Sequence, residues 1–457
     1  MTAVVALGIN GIIGQGIFLT PGMAAEKLGP ASIVGIVLGG ALSFLIALCF
    51  AEVGSRFQAT GGGYLYARKA FGPFVGFEVG WMTCCVAVIA WAALASGFTK
   101  VLAYFFPLVQ EGWVQPAVAI LLMSFLTLVN LRGAKVGAAV STFFSVAKLI
   151  PIVLFVGVGI FHIEPANFQP FAPEGYGSLA ETTLILLYAY VGFETLVVPA
   201  GEMQNPKKSV PLAMLLVMTI VSVVYISVLS VAVGTFEDLA GHPNPIAAAS
   251  AQIMGPWGGT LVAVGVCISV FGTNAGAALV SPRRFYALAE QGDLPKILAT
   301  TDPKTGAPVP AILLTLVLAA ALTLTGTFKE LAILSVVARF MQYIPTCLAA
   351  LVFRAQDSSD AEPSGFRLPG GALFPVGTVF LCLWLLAVSD PHRLLMGGTA
   401  LLIGAVVYAI KKRLSPEPAS RAVQTESAAG PTNIGNRVMM VILAGVVLGW
   451  GVTLLSN

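Results

Sequence analysis

Apolar stretches about as long as a bilayer is thick, parted by short polar connectors, recur along the whole chain. They fall near residues 2–21, 31–54, 74–99, 114–131, 138–161, 178–200, 211–234, 257–281, 308–326, 331–353, 372–389, 393–410 and 438–455. A helix needs about 20 apolar residues to cross the hydrocarbon core. Lipid tolerates only structures that bond their own backbone. The pattern therefore predicts an all-α polytopic membrane protein of about 12–13 transmembrane helices, numbered here spans 1 to 13 in chain order. Between spans 12 and 13, residues 411–437 are polar and rich in Pro, Ser and Ala, a composition that predicts a mobile linker.

Composition sharpens this reading. Hydrophobic residues make up 57% of the chain and charged residues 10%, with mean hydropathy +0.90. Soluble domains carry about 25% charged residues, so this chain cannot build a water-facing surface all round. Of the basic residues, 18 fall in connectors after even-numbered spans, while Lys27, Lys100, Lys329 and Arg393 fall in the opposite set. Lys and Arg concentrate in cytoplasmic loops, which places the N-terminus inside. The formal net charge of +3 follows from this bias and indicates no nucleic-acid partner. The six cysteines and three histidines show no metal-ligand spacing. Neither a metal nor a cofactor is expected, and the partners implied are membrane lipid and a small solute, with the oligomeric state left open.

Within the first span, "GINGIIGQGIF" (8–18) carries four glycines, an Asn and a Gln. Span 6, "LILLYAYVGFETLVVPAGE", has Gly192 near its centre and Pro199 and Gly201 toward its end. Many transporters consist of two inverted units whose first helices are broken at the membrane midplane. Spans 1–5 and 6–10 match as such units, and an odd number of helices per unit forces one copy upside down relative to the other. The expected organisation is a 5+5 inverted repeat, with units 1–161 and 178–353, peripheral helices in 372–410, the linker 411–437 and an extra helix in 438–455.

Broken backbone in lipid needs partners, and a ligand can supply them. A break around Ile13, Gly14 and Gln15 frees the amides of Gln15, Gly16 and Ile17 at the positive end of a new half-helix, which favours an anion. Carbonyls at Ile12 and Ile13, with those near Tyr188, Ala189 and Val191, form a negative cup suited to an ammonium. A free α-amino acid matches both. Glycines also allow close helix packing, which by itself would explain a single Gly-rich span but not two at related positions.

"GINGIIGQGIF", "GGGYLYARKAFGPFVGFEVGW", "YAYVGFETLVVPAGEMQNPKKSVPLAM" and "RRFYALAEQGDLPKI" resemble motifs of the amino acid-polyamine-organocation superfamily, in particular its bacterial amino acid permeases, over roughly residues 1–410. The resemblance implies a 5+5 inverted-repeat fold, alternating access and no enzymatic activity. It implies location in the cell inner (cytoplasmic) membrane. Carboxylate recognition falls on Gly14, Gln15 and Gly16, and amine recognition on Ile12, Tyr188, Ala189 and Val191. Val191 and Ala277 are expected to face the substrate, with Trp91 as a further pocket candidate. Members usually have twelve spans and a basic leading segment; this chain shows a thirteenth apolar run and begins at the first helix.

Charges at bilayer depth are costly and functional by default. Lys148, in "FFSVAKLIPIV", matches a position where some members carry a lysine in place of a sodium ion, which makes it the candidate carrier of a coupling proton. Glu194 follows the second break and Arg339 lies deep in span 10; a contact between them is expected, with Tyr343 in the same gate region. Glu52, Arg56, Arg68 and Lys69 read as ion-pairing residues around the loop after span 2, and Glu78 and Glu181 as solvated span ends. The small residues of the pocket offer no acidic partner for a cationic side chain, which favours neutral amino acids. The function expected is proton-coupled symport, with exchange or amino acid sensing as alternatives.

Overall fold

The computed structural model describes residues 5, 8–9, 11–57, 62–133, 148–197, 205–357 and 365–414. Residues 138–147 of span 5, Pro199 and Gly201, the linker from residue 415 and span 13 lie outside them. Among the described residues the chain is helical, without strands. Eight helical segments are long and apolar enough to cross a membrane, and three shorter apolar helices accompany them.

Span 1 is interrupted. Gly11 and Ile12 are helical, Ile13 to Gln15 are not, and helix resumes as Gly16–Leu28. Span 6 runs as Leu179–Tyr190, turns at Val191 and Gly192, and continues as a short 3-10 segment, Phe193–Val197. Gly192 supplies the turn with φ +116°, a conformation that L side chains rarely adopt. The break also depends on contact between the two spans, because a Cβ on Gly192 would run into the carbonyl oxygen of Gly11.

Which helices touch follows a two-fold rule. Spans 1 and 6, 2 and 7, 3 and 8, and 4 and 9 pack on each other, as partners across an axis relating span n to span n+5 must. Contacts between non-equivalent spans come in matching sets: 2 with 6 and 7 with 1, 3 with 10 and 8 with 5, 3 with 9 and 8 with 4. This is the all-α, inverted-repeat transporter fold with unwound first and sixth helices. Spans 11 (Leu373–Val388) and 12 (Pro391–Leu414) pack at the edge, chiefly against spans 10 and 3.

Several span limits agree with hydropathy, Val114–Leu131 to the residue. Two elements are additional. A helix in the loop after span 2, Gly63–Phe71, packs on spans 3 and 10. Span 8 belongs to a longer helical stretch, Pro245–Glu290, bent where Gly255 adopts φ 75° before Pro256. Proline removes an amide donor and clashes with the preceding turn, which is why the bend falls there.

One expectation for a side chain is overturned. Glu78 is 8% exposed rather than solvated, and among the described residues neither carboxylate oxygen has a hydrogen-bond partner. Span 12 covers it, since a Cβ on Gly404 would lie 2.7 Å from Glu78 Oε2. Beside it, Trp81 donates to the Ala400 carbonyl at 2.8 Å, so this indole is held by protein rather than by a lipid headgroup. Glu181 stays half-exposed and pairs with Lys27 at 3.4 Å.

Candidate functional site

Both breaks lie in the buried interior, where free carbonyls must find donors. One donor reaches two of them. The hydroxyl of Tyr225, in span 7, lies 3.1 Å from the Ile12 carbonyl and 2.9 Å from that of Ala189. Two of the carbonyls expected to receive an ammonium thus share a fixed donor. Tyr225 is fully buried and packs edge-on against Tyr190, whose hydroxyl donates to Ile36 at 3.2 Å. Nothing in the sequence marks Tyr225, a lone tyrosine in an apolar run.

On the opposite side of the first break, Gln15 is buried, and its Nε2 donates to the Ala93 carbonyl and to the Tyr188 hydroxyl, both at 2.9 Å. This side chain therefore braces span 1 against spans 3 and 6, leaving its Oε1 without a hydrogen-bond partner among the described residues. The next amides, at Gly16 and Ile17, open a half-helix and have no preceding turn to bond, as at any helix start. The two glycines serve different ends. A Cβ on Gly16 would lie 2.5 Å from the Ala189 Cα, so Gly16 permits backbone contact between spans 1 and 6. Gly14 faces Thr273 of span 8, whose methyl carbon would lie 3.2 Å from an added Cβ. Thr273 sits one turn from Ala277 and is a further residue beside the break that sequence reasoning missed.

Ile13 and Ile17 are buried with the core, and Val191 and Ala277 are half-buried. Trp91 is buried in span 3, with its indole N–H unpartnered among the described residues. Lys148 is 2% exposed and immediately precedes the helix Leu149–Gly159. That helix packs on spans 7 and 8.

Below the second break, Glu194 collects three donors. Its Oε2 accepts from the Gly192 amide at 2.9 Å and from the Tyr343 hydroxyl at 3.2 Å, while Arg339 Nε donates to Oε1 at 3.0 Å. Arg339 also donates to the Ser335 hydroxyl and carbonyl. The carboxylate is 5% exposed. Glu194, Arg339 and Tyr343 thus form one buried cluster that ties the broken end of span 6 to span 10.

Aromatic rings pack next to this cluster. Phe193 stacks on Tyr343 with centroids 5.4 Å apart, and Phe50 meets both edge-on. Ion pairs follow at the face rich in basic residues. Glu52 takes both forks of Arg354, and Arg56 is bidentate on Asp357 at 2.9 Å. Asp293, just after span 8, accepts from Tyr64 at 2.7 Å, from Arg68 at 3.1 Å and from Lys411 of span 12. Burial and the adjacent Asp293 carboxylate push the phenol of Tyr64, in the loop helix, well above its usual range, so it remains a donor. Span ends and loop helix are drawn together at this face.

Two inverted five-helix units meeting at broken helices are the architecture of a secondary transporter. The chain belongs to the amino acid permease family, whose model matches residues 1–410. It is similar to the serine/threonine exchanger SteT of Bacillus subtilis, 29% identical over 89% of this chain and 95% of the relative. From the same organism, the branched-chain amino acid permease BcaP is 24% identical over 89% and 91%, and a methylthioribose transporter is 27% identical over 89% and 91%. The protein is accordingly a multi-pass membrane transporter of amino acids, not an enzyme.

Two substitutions probe these contacts. Tyr225→Phe removes the one proton that the Ile12 and Ala189 carbonyls share, a penalty of about 1–3 kcal/mol; the midpoint of thermal unfolding should fall, and an unchanged midpoint would mean that other groups hold the breaks. For the deeper cluster, Glu194→Gln and Arg339→Gln should each lower stability more than the double variant does, because a lone buried charge is the expensive case, at about 3–5 kcal/mol. Strictly additive losses in a double-mutant cycle would contradict that.

Proposed function

We propose that this protein carries neutral L-amino acids across the bacterial inner membrane by alternating access, with a cytoplasmic N-terminus and uptake coupled to protons. The repeat units are assigned to residues 1–161 and 178–353. What supports this reading best is the juxtaposition of the two breaks. The Ile12 and Ala189 carbonyls are close enough to share one hydroxyl, and the amides that start Gly16–Leu28 lie a few residues away. An α-amino acid offers an ammonium to such carbonyls and a carboxylate to such amides. Only part of the peptide surface is open to it while Tyr225 occupies the cup, so binding requires either that the ammonium take other carbonyls near Tyr188 and Val191 or that Tyr225 give way.

The names of the relatives favour small and branched neutral substrates. Among them the exchanger supports obligatory exchange as a second reading, and the methylthioribose transporter warns that a relative of similar identity is named for a solute that is not an amino acid. Counterflow of labelled serine, threonine, leucine and isoleucine into proteoliposomes preloaded with the same amino acid tests carriage as such. Accumulation above equilibrium is expected for at least one, and its methyl ester should neither compete nor exchange. Equal competition by the ester would remove the carboxylate from the recognition scheme. An amino acid sensor would bind its ligand yet show no counterflow.

Lys148 is the proposed proton carrier. It is buried at the start of the described part of span 5, and an ionisable side chain at bilayer depth is functional by default, which supports a part for it in coupling. An imposed inward proton gradient should drive accumulation in the parent and not in Lys148→Ala, while counterflow, which needs no gradient, persists in the variant. Undiminished gradient-driven accumulation would refute the assignment.

A further inference from the structure

A cavity of about 290 Å³ lies at the face opposite the ion pairs, between the start of span 6, span 10 and the connector of spans 11 and 12. Its wall includes Ser178, Glu181, Leu184, Ser389, Asp390 and Arg393. From this wall we propose a second binding site, for the zwitterion of an α-amino acid, separate from the helix breaks and independent of the central reading.

The carboxylates of the wall already have local partners, whereas the donors do not. Asp390 caps span 12, its Oδ1 accepting from the His392 amide at 2.8 Å. Glu181 pairs with Lys27. Arg393 makes no side-chain hydrogen bond or ion pair among the described residues; its electrostatic neighbour is Glu330, whose Oε2 is engaged by the amide and hydroxyl of Thr327 at 2.8 and 3.0 Å. A guanidinium in the first turn of a helix faces the positive end of the dipole, so Arg393 gains nothing from its place in span 12. Ser389 is 5% exposed, and its enclosed hydroxyl has no hydrogen-bond partner among the described residues. Ser178 precedes Leu179–Tyr190 without capping it; the Leu179 amide is bonded to the Tyr176 carbonyl and the Thr182 amide to the Ser178 carbonyl, so the amides between them are the ones at this helix start left for an anion.

Arg393, with the unbonded amides at the start of span 6, therefore forms the side of the cavity suited to a carboxylate, and the remaining oxygens of Asp390 and Glu181 stand beside it for an ammonium. A bare anion would be repelled by the two carboxylates, and a bare cation by Arg393. A zwitterion satisfies both signs. The volume, at the lower end of ligand pockets, suits a molecule of amino acid size. Because span 6 and span 10 also hold the Glu194 cluster, a ligand here would bear on the same two helices that this cluster joins.

Gly177→Cys provides the reporter, since a Cβ at this cavity-lining glycine meets nothing within 4 Å. Labelling of the purified full-length variant by a charged methanethiosulfonate reagent is followed in the presence of each common amino acid except cysteine, whose thiol would consume the reagent, with acetate and methylamine as single-charge controls. At least one amino acid should slow labelling several-fold, and neither control should. In Arg393→Gln the half-protecting concentration should rise about tenfold or more, as expected for a lost charged hydrogen bond, and by less in Arg393→Lys. Counterflow should survive both changes, which separates this site from the central one; protection that persists where the parent shows no counterflow would support the outer site while removing the transport reading. The proposal is overturned if no amino acid protects, if acetate or methylamine protects equally, or if Arg393→Gln leaves protection unchanged.

Discussion

A peptide group without a partner in a lipid-embedded interior costs several kcal/mol, and the fold is arranged around meeting that demand at two places at once. Spans 1 and 6 give up helical bonds close to each other, and the Tyr225 hydroxyl serves a carbonyl from each. This donor stands on span 7, which packs on span 1 and on its two-fold partner, span 2. Glu194 meets a similar need from below by accepting the Gly192 amide. The breaks are thus not loose segments of chain but rigidly bonded ends.

The same logic governs the basic face. A buried carboxylate is tolerable only when its lone pairs are answered, and Asp293, 2% exposed, is answered from three elements. Parting Asp293 from its donors on the loop helix and span 12, or Glu52 from Arg354, would leave each group needing water in place of its partner. The contacts at this face are consequently stabilised by charges that solvent alone could otherwise satisfy.

Much of this was legible in the sequence, and the reasons differ by feature. Hydropathy located the spans because lipid imposes a length, and it located the breaks because Gly, Asn and Gln in an apolar run contradict local helical preference. A Glu194 to Arg339 contact could be expected because two charges at bilayer depth need each other. Tyr225 was not legible, since a single tyrosine among valines has no period and its partners are 213 and 36 residues away. Asp293 was hidden for the same reason, with partners 229, 225 and 118 residues distant. Glu78 misled because distance from a span end says nothing about what a peripheral helix covers. The glycine pattern pointed to the right place, although Gly16 is explained by contact with Ala189 before any ligand is considered.

Gly192 constrains how such a protein can change over time. Its backbone angle and the adjacent Gly11 carbonyl both disfavour a side chain, so a substitution at this position would have to strain the turn and push the first span aside at once. Change in a lineage is thereby channelled toward the flanks of the two breaks, at half-buried positions such as Val191, Thr273 or Ala277, while the turn glycine is kept.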